Sequence, residues 1–139
     1  MYKRQITNLL TQDAQVACFE NAARHLAPGG RFVIEVQMPR LRRLPVGERF
    51  IPFDVSPDHI GVDEYDVVEQ ILISNHLYNV DGAAVHVRSP HRYAWPAEYD
   101  LMARIAGLKL ESRWAGWSRD PLTDSSEAHV SVWRDSAQR

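Results

Sequence analysis

NLLTQDAQVACFENAARHLAPGGRFVIEVQMP, residues Asn8–Pro39, decides the fold. Phe19, Ala22, Ala23 and Leu26 recur at helical spacing, with Cys18 on the flank of the same stripe. Thr11 stands where an N-cap is needed, and Asp13 puts negative charge in the first turn, beside the unpaired N–H groups. Pro28-Gly29-Gly30 then stops the helix. In Arg31–Gln37 the residues Phe32, Val33, Ile34 and Val36 are apolar, and Glu35 is the exception. A strand without alternation is expected to be buried on both faces, which predicts an α/β fold with a largely parallel sheet covered by helices. In such sheets ligands bind beyond the carboxyl ends of the strands.

Composition narrows the function. With 139 residues, 45% of them hydrophobic, the chain amounts to one domain or part of one. A formal net charge of -2 and a pI near 6.3 point away from nucleic acid and from a membrane surface. Apolar runs are too short to span a bilayer, and the opening MYKRQITNLL has no apolar h-region. A single cysteine, Cys18, forms no internal disulfide, and a cytoplasmic location is expected on that ground.

From Pro39 to Gly61 the pattern dissolves, broken by Pro39, Pro45, Pro52 and Pro57, with Arg40, Arg42 and Arg43 beside Leu41 and Leu44. Such a stretch reads either as a lid or binding loop or as a solvated connector. Residues 62–95 read as a β-meander: Val67, Ile71 and Ile73 on one face, Val68, Leu72 and His76 on the other. Its turn falls near Asn79-Val80-Asp81-Gly82, and a break or bulge is expected at Pro90. A second helix is expected from Pro96, with Leu101, Met102, Ile105 and Leu108 as its apolar stripe and Gly107 as its stop. Strands at Leu108–Trp117 and Ala128–Arg134 close the order α-β-(β-hairpin)-α-β-β.

Chemical motifs are sparse. Gly29-Gly30 lies between helix and strand, the reverse of a phosphate cradle. His25, His59, His76, His86, His91 and His129 show no metal-ligand spacing, so no metal site is expected, and His86 and His91 should point to opposite faces of one strand. One or two histidines facing a pocket would suit a general base, while packing explains any single one as well. No GxSxG elbow occurs, and Cys18 reads as core. Glu35 reads as paired, functional, or reaching water at the sheet rim. Trp95, Trp114, Trp117 and Trp133 fit an aromatic wall or ordinary packing equally.

Asn8-Leu9-Leu10-Thr11-Gln12 leading to His25-Leu26-Ala27-Pro28-Gly29-Gly30-Arg31-Phe32, then Tyr93-Ala94-Trp95-Pro96-Ala97-Glu98-Tyr99-Asp100-Leu101-Met102, Ile105-Ala106-Gly107-Leu108, Gly116-Trp117 and His129-Val130-Ser131-Val132 carry a resemblance. Together they resemble the C-terminal half of class I S-adenosylmethionine-dependent methyltransferases, a Rossmann-like family, from Asn8 to about Val132. The meander is similar to the β-insertion of small-molecule N- and C-methylating members. The resemblance implies a partial Rossmann-like methyltransferase sheet with an inserted antiparallel β-hairpin. One partial domain over 1–139 would comprise a helix and buried strand at 8–38, the β-insertion at 62–95, and a C-terminal helix and strand pair at 96–134.

The implied reaction is methyl transfer from S-adenosylmethionine to a small-molecule acceptor. The family's donor site, a glycine loop after the first strand and an acidic residue ending the second, is expected upstream of Met1. No cofactor-binding or catalytic residue therefore carries over, and donor binding or activity by this chain alone is not expected. Substrate-side lining remains: Asn8, just after the fourth strand of the family, and Gln37, Met38 and Pro39, leaving the fifth. The alternative is a non-catalytic interaction module. It would pair as a homodimer or with a partner chain through the exposed sheet edge at Arg31–Gln37, aided by the Arg40–Leu44 loop.

Overall fold

The computed structural model describes residues 5–135. A 3-10 turn, Gln5–Asn8, leads into helix α1, Gln12–His25, and strand β1, Arg31–Gln37. A second short turn, Leu41–Arg43, precedes β2, Phe50–Val55, β3, His59–Asp66, β4, Ile71–Val80, and β5, Ala83–Arg92. Helix α2, Pro96–Ile105, β6, Leu108–Trp114, and β7, Ala128–Asp135, complete the order. The chain divides into two compact units, residues 5–39 with 94–135 and residues 40–93. No helix among the described residues is long and apolar enough to cross a membrane.

The first unit is built on the helix–stop–strand sequence. Thr11 Oγ1 accepts the Ala14 N–H at 3.2 Å, the N-cap bond that starts α1. The sheet runs β1-β7-β6, and both ladders are antiparallel. The largely parallel sheet expected from the sequence thus has no parallel ladder among the described residues. β7 inserts between β1 and β6, which share a direction without sharing hydrogen bonds.

β1 also alternates in burial, against the expectation of burial on both faces. Ile34 and Val36 are buried, while Val33 and Glu35 are half-buried and Gln37 is exposed. Phe19 of α1 is the hub of the core. Its ring meets Phe32 edge-on at 5.0 Å and Trp133 at 5.3 Å, and stacks against Tyr99 at 6.3 Å. Edge contacts of this kind add about 0.5–1.5 kcal/mol each beyond area burial. α2 opens on Pro96, but Tyr99, Met102 and Ala103 face inward while Leu101 and Ile105 are exposed. Of the expected stripe Met102 and Leu108 are buried, while Tyr99 and Ala103 fill the core in place of Leu101 and Ile105.

The second unit is a four-stranded antiparallel meander, β2-β3-β4-β5. It begins well before residue 62, so the stretch that looked patternless supplies β2 and the start of β3. Its prolines misled for a physical reason. Pro52 lies in an edge strand next to a register shift, and Pro90 lies in the other edge strand, paired with Ile73 without a break. A missing N–H is tolerated at an edge. Val67 and Val68, expected in a strand, are exposed in the β3–β4 turn, where Asp66 Oδ1 accepts the N–H groups of Val68 and Glu69 at 3.0 Å each.

The β4–β5 turn is where Asp-Gly placed it, with Asp81 at φ 51° and Gly82 at φ 80°. Ile51, Tyr65 and Tyr93 form a small core, joined by Leu41, Leu44 and Leu72. The arginine-flanked loop is therefore anchored by its two leucines and by the Arg40 N–H, which donates to Tyr65 Oη at 3.3 Å.

Candidate functional site

The sequence-derived lining residues occupy two places in the first unit. Gln37, exposed, ends β1 opposite Ala128. Half-buried Met38 follows, its N–H donating to the Glu127 carbonyl at 2.8 Å, and half-buried Pro39 comes next. Asn8 is exposed on the 3-10 turn. That turn is fixed by wholly buried Gln15 of α1, whose Nε2 donates to the carbonyls of Ile6 at 3.0 Å and Leu9 at 3.2 Å.

One residue in from Gln37 on the ladder, Val36 pairs with His129, which begins a polar row along β7 that the sequence did not reveal. Arg113 of β6 grips Asp100 of α2 with two bonds, Nη1 to Oδ2 at 3.0 Å and Nη2 to Oδ1 at 2.6 Å. Asp100 Oδ1 also accepts from Trp133 Nε1 at 3.0 Å. Arg113 Nε donates to Ser131 Oγ at 2.7 Å, and that oxygen lies 2.8 Å from His129 Nδ1. With its lone pair facing arginine, the Ser131 hydroxyl has its own proton to give to Nδ1. His129 then keeps its ring proton on Nε2, a buried atom with no hydrogen-bond partner among the described residues. Burial, and next the Arg113 charge, lower the His129 pKa from 6.5 to about 4, with the Asp100 carboxylate opposing.

A second cluster lies on one face of the meander. His59 Nδ1 bonds Asp54 Oδ2, and His59 Nε2 lies 3.0 Å from His76 Nδ1. Tyr78 stacks on His59 at 4.6 Å between centroids, and Phe53 meets His76 edge-on at 5.4 Å. Farther along the strands Ser74 Oγ donates to Asp63 Oδ1 at 2.7 Å. The sequence offered His59 and His76 only among six histidines of which one or two would suit a general base, and gave no sign that these two meet. The β3–β4 register, which pairs His59 with Tyr78 and Gly61 with His76, is what assembles the group.

The remaining candidates disperse. Cys18 is half-buried against the core, and burial pushes its thiol pKa up, away from the reactive thiolate. Glu35 is half-buried opposite Val130. Trp133 is core, Trp95 and Trp117 are exposed, and Trp114 lies under the Arg119 guanidinium at 5.0 Å, so the four tryptophans make no common wall. His86 bonds Asn75 and His91 contacts Ser89, at odd spacing on one continuous strand, hence on opposite faces as expected. Among the described residues no group of three or more His, Cys, Asp or Glu is placed to hold a metal ion. Gly29-Gly30 joins α1 to β1, and the order strand, glycines, helix N-terminus does not occur among the described residues.

No protein-family model matches the chain. The cypemycin N-terminal methyltransferase from Streptomyces sp. is 27% identical over 126 residues, covering 87% of this chain and 51% of that protein. The CcbJ methyltransferase from Streptomyces caelestis is 36% identical with a TM-score of 0.83, over 95% of this chain and 57% of that one. An S-adenosylmethionine-dependent methyltransferase from Clostridium acetobutylicum, 11% identical with a TM-score of 0.71, shares the fold over 95% of this chain and 55% of its own. So does a SAM-bound amino pentose methyltransferase from Micromonospora echinaspora, 16% identical with a TM-score of 0.62 over 95% and 55%. The chain thus spans little more than half the length of these relatives. Over nearly its whole length, in sequence and in fold, it resembles about half of an S-adenosylmethionine-dependent methyltransferase.

Proposed function

We propose that these residues supply the acceptor side of an S-adenosylmethionine-dependent methyltransferase acting on a small molecule, and that the 139-residue polypeptide by itself neither holds the donor nor transfers a methyl group. The observation that carries this reading is the 36% identity to the CcbJ methyltransferase across 95% of the chain, at a TM-score of 0.83. The described residues do not themselves fit the donor, because they form no strand–glycine–helix cradle for it. Their task is positioning: methyl transfer needs the acceptor atom held in line with the donor. Asn8, Gln37, Met38 and Pro39, at the turn before α1 and the carboxyl end of β1, line that acceptor side. Two of these relatives are named for a cypemycin N-terminus and an amino pentose, which favours an amine nitrogen as acceptor.

Isothermal titration of the purified polypeptide with S-adenosylmethionine should give no micromolar binding. A chimera joining this chain to the part of the Streptomyces caelestis enzyme that it does not match should bind the donor at micromolar concentration. Tight binding by the polypeptide alone, or a folded chimera that ignores the donor, would overturn the proposal.

A second reading follows from β1, which has only β7 beside it among the described residues. Its outer N–H and C=O groups suit strand addition from a second copy or a partner, as an interaction module would use. Sedimentation equilibrium showing monomer throughout the micromolar range would sink pairing with a second copy.

A further inference from the structure

Asp54, His59 and His76 come from three successive strands of the meander, and their bonds run in one direction. The Asp54 carboxylate only accepts, so His59 Nδ1 is the donor to it and His59 Nε2 carries a lone pair. That lone pair, 3.0 Å from His76 Nδ1, takes the His76 Nδ1 proton. His76 is left with its own lone pair on Nε2. The two imidazoles lie within 15° of parallel with centroids 5.2 Å apart. Phe53 and Tyr78, 38% and 39% exposed, flank them and leave the face open to a ligand. Gly61 makes the Phe53 position possible, since a Cβ there would lie 2.2 Å from Phe53 Cε2.

We propose that Asp54, His59 and His76 form a proton relay that deprotonates an ammonium acceptor at His76 Nε2, with Phe53 and Tyr78 presenting ring faces to the cation. The assignment rests on the reading of the chain as the acceptor side of a methyltransferase. An ammonium nitrogen has no lone pair with which to attack a methyl group, so a proton must leave first. In the relay R–NH3+ gives its proton to His76 Nε2 and becomes R–NH2, the N–H electron pair staying on nitrogen. The His76 Nδ1 proton passes to His59 Nε2. The positive charge then rests on the His59 imidazolium, against the Asp54 carboxylate, where an opposite charge stabilises it. The aromatic rings add cation–π attraction for the incoming ammonium.

A polar tie that merely joined the strands would impose no such proton order. Long-range 1H–15N correlation on the 15N-labelled full chain reads which ring nitrogen carries the proton. Wild type should show both rings protonated on Nδ1, with His76 Nε2 an acceptor. In Asp54→Ala, with no acceptor for His59 Nδ1, both protons should move to Nε2. Glucosamine should shift the His76 Nε2 resonance where glucose does not, and Asp54→Ala should lose that response. A wild-type His76 protonated on Nε2, or equal responses to the two sugars, overturns the relay even if Asp54→Ala fails to fold. Donor binding by the chimera is measured separately, so failure of the relay and failure of the methyltransferase reading remain distinguishable.

Discussion

Acid should weaken this fold chiefly through His129, although burial lowers the His91 pKa as well. His129 is wholly buried, its Nδ1 engaged by Ser131, and its pKa is lowered to about 4 by burial, then by Arg113. In the unfolded chain the same ring titrates near 6.5. A base with a lowered folded pKa is protonated first in the unfolded state, so the stability present above about pH 6.5 is lost as pH falls towards 4. At 1.36 kcal/mol per unit the full loss is roughly 3 kcal/mol, and about 2 kcal/mol of it falls between about pH 7 and pH 5. Urea unfolding across that window should be compared with His129→Asn, whose amide still offers Ser131 a partner but does not titrate. The variant starts less stable, and the slope is what matters: wild type should lose about 2 kcal/mol more than the variant on acidification. Parallel pH profiles would refute the reasoning, because they would mean that His129 takes up its proton in the folded protein as readily as in the unfolded one.

Three further changes test the packing that surrounds the two clusters. Asp100→Asn removes the charge that Arg113 grips with two bonds and the one group that raises the His129 pKa. It should cost about 3 kcal/mol, and the His129 midpoint followed by NMR should fall further; an unmoved midpoint contradicts this. Gly61→Ala drives a methyl into the Phe53 ring, which is partly exposed and can swing away at about 1 kcal/mol. The nuclear Overhauser contacts between Phe53 and His76 should vanish, and their survival would show that the ring holds its place. Phe19→Ala empties the hub between Phe32, Tyr99 and Trp133 and should destabilise by about 3–5 kcal/mol in thermal or urea unfolding, with a loss under 1 kcal/mol contradicting its central role.

Local rules made the first unit readable. Thr11, the helical spacing and the Pro-Gly-Gly stop act over a few residues, and α1 begins and ends where they direct. The bounds of β1 are legible, but a single residue makes its burial look two-sided. Phe32, Ile34 and Val36 share a face, Arg31, Glu35 and Gln37 the other, and Val33 alone breaks the alternation. α2 is less legible. Its leucine and isoleucine positions point to Leu101 and Ile105, which are exposed, while the Tyr99 ring carries the inward face beside Met102. β2 was hidden because its signal is non-local: Pro52 is acceptable there only because the strand lies at a sheet edge, and edge position belongs to topology.

Both clusters were illegible for the same physical reason. Residues 54, 59 and 76, and residues 100, 113, 129, 131 and 133, have no motif spacing because pairing across strands, and packing of a helix on a sheet, sets their neighbours. A register slip of one residue on β4 would turn His76 to the opposite face and leave His59 bonded to Asp54 alone. The relay therefore depends on what fixes the β3–β4 register, the turn in which Asp66 Oδ1 accepts the Val68 and Glu69 N–H groups. The Asp81-Gly82 turn sets the separate β4–β5 register. A turn outside the cluster thus decides whether the His76 lone pair faces the same side as Phe53 and Tyr78, and with it whether an ammonium group meets a base or a blank strand.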